Sequence, residues 1–117
     1  METVDLELEQ GASMRVTLLY TDANNVPIPL DGFHAHMQAR KRAKFSLPVL
    51  LELSTANGGI TLGPADGEIH LFAGSDQTAG ITRNCVYDLH LIPDLRPTDI
   101  TRAFGGKIIV TPGVTAP

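Results

Sequence analysis

The chain has 117 residues, 43% hydrophobic and 19% charged, with 5% aromatics and no Trp, which suits one domain with an aliphatic core and excludes global disorder. A formal net charge of −4 excludes the basic composition of a wholesale nucleic-acid binder. The lone cysteine, Cys85, excludes an intrachain disulfide and a cysteine-based zinc site. Met1 to Asp5 has neither the basic nor the apolar region of a signal peptide, and no apolar run approaches a membrane span, so a cytosolic product without a membrane partner is expected.

Eleven Gly and eight Pro punctuate short apolar segments, a pattern that favours many strands joined by turns. Val4, Leu6 and Leu8 alternate with Asp5, Glu7 and Glu9, which predicts a first strand with one wet face. After Gly11-Ala12, the residues Met14, Val16, Leu18 and Tyr20 form the apolar side of a second strand that ends in the turn-forming cluster Thr21 to Asn25. Pro27 and Pro29 cannot donate to a ladder, so Val26 to Leu30 is expected to be an extended crossing or edge segment.

Phe33, Ala35, Met37 and Ala39 then oppose His34, His36, Gln38 and Arg40 in a third strand. A fourth is expected over Pro48 to Leu53, before the turn at Asn57-Gly58-Gly59. The fifth, in one or two pieces, spans Ile60 to Ala73 around the turn Pro64-Ala65-Asp66-Gly67. Gly74 to Gly80 is too rich in glycine for more than a single helical turn, for which Ser75 or Asp76 would be the cap. Asn84 to Ile92 is a strand with Cys85, Tyr87, Leu89 and Leu91 inward, and Lys107 to Val110 is a β-branched closing strand. These segments predict an all-β protein, an immunoglobulin-like antiparallel β-sandwich of about seven short strands. Residues 1–111 would form a single domain, with 1–10 as an edge strand or arm and 112–117 as a tail.

His34 and His36 share one side of their strand, where two imidazoles can approach a common metal. A third ligand would have to come from His70, His90 or a carboxylate, and no spacing requires it, so half-exposed sheet residues are the preferred reading. Asp88 and His90 also share a face, yet no nucleophile accompanies them, and Cys85 falls on the apolar side as a small core residue. The glycines form neither a dinucleotide fingerprint nor a phosphate loop. No catalytic, cofactor-binding or metal-binding residue is therefore assigned, and no cofactor is expected.

Charge is distributed more tellingly. Arg40, Lys41, Arg42 and Lys44 put four of nine cations into five positions, while Glu2, Asp5, Glu7 and Glu9 put four acids at the start of the chain. Opposite charges on separate segments could dock the basic loop onto an acidic neighbour such as another copy's N-terminal strand. A solvated loop and an edge strand protected by charge are the plainer alternative. The candidate interaction residues are Arg40, Lys41, Arg42, Lys44, Asp5, Glu7 and Glu9.

Four stretches carry a resemblance: "GASMRVTLLYTDANNVPIPLDGFHAHMQAR", "ITLGPADGEIHLFAGSDQTAG", "VYDLHL" and "GGKIIVTPGVT". Their order resembles that of small tailed-phage virion proteins, including the N-terminal immunoglobulin-like module of upper-baseplate proteins. Asn25 departs from the pattern, since a glycine is usual in that turn, as does Pro29, where an acid is common. The resemblance implies a non-enzymatic bacteriophage virion structural protein, made in the host bacterial cytoplasm, that acts as a tail or baseplate adaptor for fibres or other tail parts. A head cement or decoration protein clamping the capsid lattice is the alternative. Implied partners are tail, baseplate or capsid subunits and further copies of the chain, with no nucleic acid and no membrane. A small metal-dependent enzyme built on His34 and His36 is the competing class.

Overall fold

In the computed structural model, residues 1–63 and 66–117 are described; Pro64 and Ala65 of the expected fifth-strand turn lie outside them. The strands are β1 (Glu2–Thr3), β2 (Leu6–Glu9), β3 (Met14–Leu19), β4 (Phe33–Arg40), β5 (Leu51–Ser54), β6 (Ile60–Gly63), β7 (Glu68–Ala73), β8 (Cys85–Pro93) and β9 (Thr101–Thr111). One helical turn, α1 (Ser75–Thr78), precedes β8.

Period-two alternation turns into burial residue by residue. In β2 the leucines are buried and the glutamates exposed. In β4 Ala35, Met37 and Ala39 are buried, and in β8 Cys85, Tyr87, Leu89 and Leu91 are. Each large aliphatic side chain so withdrawn from water contributes roughly 1.5–3 kcal/mol, and the inward faces of the two sheets supply them to each other.

The larger sheet runs β1-β9-β8-β4-β5, with β2 also paired to β9, and the smaller runs β3-β7-β6. Its central pairings are antiparallel, whereas β1 and β2 lie parallel to β9. Three strands facing a sheet built on the last two long strands, with the first strands parallel to the last, is an immunoglobulin-like sandwich. Tyr20 and Phe104 meet edge-on between the layers at 6.2 Å. At one end Thr78, fully buried, donates its hydroxyl to the carbonyl of Ala12 at 2.8 Å and ties α1 to the turn before β3.

Three expectations are corrected. The first strand is split at Val4-Asp5, where the Lys107 N–H donates to the Asp5 carboxylate at 3.0 Å in place of a backbone carbonyl; both halves pair with the same edge of β9, and the missing side chain of Gly106 leaves room for the Val4 carbonyl. The closing strand begins at Thr101, six residues before Lys107, so the paired glycines lie inside it. The cap of α1 is Gly74, whose N–H donates to the Gln77 side chain at 3.1 Å; Ser75 and Asp76 are inside the turn. Strands number nine among the described residues, because the fifth segment takes the two-piece form already allowed for it and the N-terminal one divides as well.

A register shift between Leu89 and His90 on β8 marks a bulge opposite Phe104 and Arg102. It turns both Ala103 and Phe104 into the core and sets Arg102 on the outer face. The Asn25 turn is closed by the Asp22 carboxylate, which accepts from the N–H groups of Asn24 and Val26 at 2.8 and 3.0 Å. Asn25 itself has φ 61°, a left-handed conformation that Asn tolerates. That explains how it stands in for glycine.

Gly67 is less replaceable. It has φ 70°, and a Cβ there would come within 2.6 Å of the Tyr20 carbonyl oxygen, while the Tyr20 N–H donates to the Gly67 carbonyl at 2.9 Å. Gly67→Ala is expected to cost about 2 kcal/mol or more, read as a lower urea midpoint at unchanged slope.

Candidate functional site

The four histidines do not converge. His34 Nδ1 lies 2.7 Å from Asp94 Oδ1, and His36 Nε2 lies 2.8 Å from Glu52 Oε1, so the two neighbours reach to different partners. His90 is directly across from His36 in the β4–β8 register, but its Nε2 is 3.7 Å from Asp88 Oδ1. His70 is on the outer face of the other sheet, between Thr17 at 3.0 Å and Glu68 at 2.9 Å. Among the described residues no three His, Cys, Asp or Glu side chains are grouped to hold a metal ion.

Cys85 is buried and its thiol is pushed up by that burial, which keeps it protonated and unreactive. Asp88 is engaged by Arg102, with Nε 3.3 Å from Oδ2. The outer face of the small sheet is likewise occupied by its own contacts, including Arg15 stacked 4.6 Å above the Phe72 ring.

The charged candidates are brought together differently from their order in the chain. Arg40 pairs with Val86 and Val86 with Lys107, whose N–H donates to the Asp5 carboxylate at 3.0 Å. Arg40 and Asp5 thus lie along one row of the larger sheet. Because β2 and β9 run the same way as β4, Glu7 and Glu9 continue from that row alongside the loop that follows Arg40. β4, which leads into the basic loop, and the acidic strand β2, distant in sequence, end at the same end of one sheet, three strand spacings or about 14 Å apart.

Arg40 anchors the loop. Its guanidinium donates to the Leu47 carbonyl and, at 2.9 Å, to Gln38 Oε1, which leaves Lys41, Arg42 and Lys44 exposed beyond it. Among the described residues, these three cations and the carboxylates of Glu7 and Glu9 have no ion-pair partner. Between the basic loop and Met1 runs an open groove of about 430 Å³ over the outer face, bounded by Arg40, Arg42, Phe45, Val86, Arg102 and Met1. Phe45 projects from its rim at 93% exposure.

Phe45, Met1 and Arg102 are the groove residues that sequence reasoning missed. An aromatic directly after four clustered cations was a usable signal for Phe45. Arg102 had none, because its position depends on the bulge.

Tyr87 fastens the acidic strand to the body by donating its hydroxyl to the Val4 carbonyl at 2.5 Å. Burial pushes its phenol up to about 12, with the Asp5 and Glu2 carboxylates adding to the effect. The folded chain therefore holds this proton more tightly than the unfolded chain does. The resulting stability is complete below the ordinary value near 10 and is lost as pH rises toward 12. The urea midpoint is expected to fall across that interval, and to fall less in Tyr87→Phe, which forfeits about 1 kcal/mol at neutral pH.

No protein-family model matches the chain, and no curated protein matches it by sequence. Among solved structures, the chain is similar to the extracellular domain of the voltage-gated sodium channel β4 subunit, described as a parallel homodimer with a role in cell–cell adhesion. The TM-score is 0.43 at 10% identity, over 97% of this chain and 95% of that one. It is also similar to a chain from photo-crosslinking work on multimeric cell-adhesive interactions of such β subunits, with a TM-score of 0.41 at 8% identity, covering 95% and 92%. At these scores the likeness bears on neither function nor partner.

Proposed function

We propose that the protein is a bacteriophage virion structural protein that works without catalysis, as a tail or baseplate adaptor through which fibres or other tail parts attach. The observation that carries this reading is an outer sheet face whose charges are left unpartnered at both edges, with the exposed Phe45 ring at its groove. Such a face is suited to contact with another protein. The order of the four resembling segments supplies the virion setting.

A head cement protein would use its terminal segments as free clamps. Here the Gln10 side chain accepts from the Gly113 N–H at 3.0 Å and donates to the Ala79 carbonyl at 3.0 Å. Holding the start of the tail against the body favours the adaptor reading over the clamp. A reconstruction of particles that contain the chain is expected to find its copies at the tail or baseplate. Copies on the head lattice would establish the cement role instead, and absence from particles would overturn the virion reading altogether.

A further inference from the structure

The charge layout of the larger sheet has a symmetry of its own. Its cations, Lys41, Arg42 and Lys44, follow directly on the end of β4, and its free carboxylates, Glu7 and Glu9, lie on the edge strand β2, whose C-terminal end is at the same end of the same sheet. Rotating a second copy by half a turn about an axis parallel to the strands brings two such faces together and exchanges left for right while preserving height. The basic loop of each copy then lies over the acidic strand of the other. Both contacts form at once, as an isologous pair requires.

We propose that this face docks a second copy of the same chain in parallel, with Arg42 and Lys44 of each protomer against Glu7 and Glu9 of its partner. The acids within the face do not compete for these cations, because Glu52 is paired with His36 and Asp88 with Arg102. Asp5 is already committed to the Lys107 N–H. Phe45 and Met1, 93% and 68% exposed, supply the apolar surface that is covered in the middle, the role that aromatic anchors ringed by charge fill at protein contacts. The molecule measures 42 × 28 × 26 Å, so one sheet face provides on the order of the 800 Å² per partner of a standard interface. The inference stands on charge and geometry and does not rest on the virion reading.

Sedimentation velocity on the whole chain at low ionic strength tests it, with thermal unfolding as the check that each variant is folded. The wild type is expected at twice its 12.5 kDa mass, dissociating as salt is raised. Arg42→Glu with Lys44→Glu, and separately Glu7→Lys with Glu9→Lys, should each weaken the pair by about tenfold or more. Mixing these two variants should restore it, because an acidic loop and acidic edge then face a basic edge and basic loop.

A monomeric wild type at low salt would overturn the proposal, as would a dimer indifferent to either reversal or a mixture that stays monomeric. If the reversed variants fail to fold, the decision passes to Phe45→Ala, at an exposed loop position. It should weaken the wild-type dimer without lowering the thermal midpoint, and an unchanged dimer would sink the idea. Monomers found in particles would refute only this pairing, and dimers absent from particles only the virion role.

Discussion

The pairing of β4 with β8 is the constraint on which the other features depend. Eight consecutive residue pairs, from Phe33 with Pro93 to Arg40 with Val86, fix which side chains face inward. A slip of β4 by one residue against β8 would expose Met37 and Ala39 and bury His36 and Gln38, and a slip of β8 would do the same to Leu89 and Leu91 against Asp88 and His90. Burying those polar groups without partners would cost several kcal/mol, which is why the hydrophobic pattern alone selects the register. The same selection aims Arg40, Asp88 and the histidines outward, so the chemistry of the outer face is a by-product of how the core closes.

From that central pair the order spreads to both edges. β9 joins β8 and carries the bulge that turns Arg102 outward beside Asp88. Its glycine pair lets the N-terminal segment pass close enough for Tyr87 to grip the Val4 carbonyl. The strand bearing Glu7 and Glu9 thereby becomes the far edge of the sheet, instead of a loose arm. On the opposite side, Arg40 draws the loop back through Leu47, which presents Lys41, Arg42 and Lys44 as a group. One face thus receives both signs of charge from segments more than thirty residues apart in sequence, with a groove beside the basic loop.

The sandwich was legible wherever period-two alternation ran uninterrupted. β4 has the bounds that its alternation predicts, and β8 differs by one residue at either end. Legibility failed where the decisive contact was long-range. The closing strand was expected only from Lys107, yet Gly105 and Gly106 sit inside β9, where the N-terminal segment comes close enough that a side chain on either would meet it. The candidate cations and acids were visible as clusters, but their placement at one end of one face follows from parallel pairing of the first and last strands, which no local pattern encodes. The divergent partners of His34 and His36 could not be read either, since Asp94 and Glu52 come from a loop and a neighbouring strand.

Cross-strand proton contacts in solution NMR spectra measure the β4–β8 register most directly. The account predicts that the backbone protons of Met37 lie against those of Leu89, and those of Gln38 against Asp88, with the amides of both strands among the slowest to exchange. Contacts displaced by one residue, or amides in these strands exchanging as fast as those of the Lys41 to Leu50 loop, would contradict it.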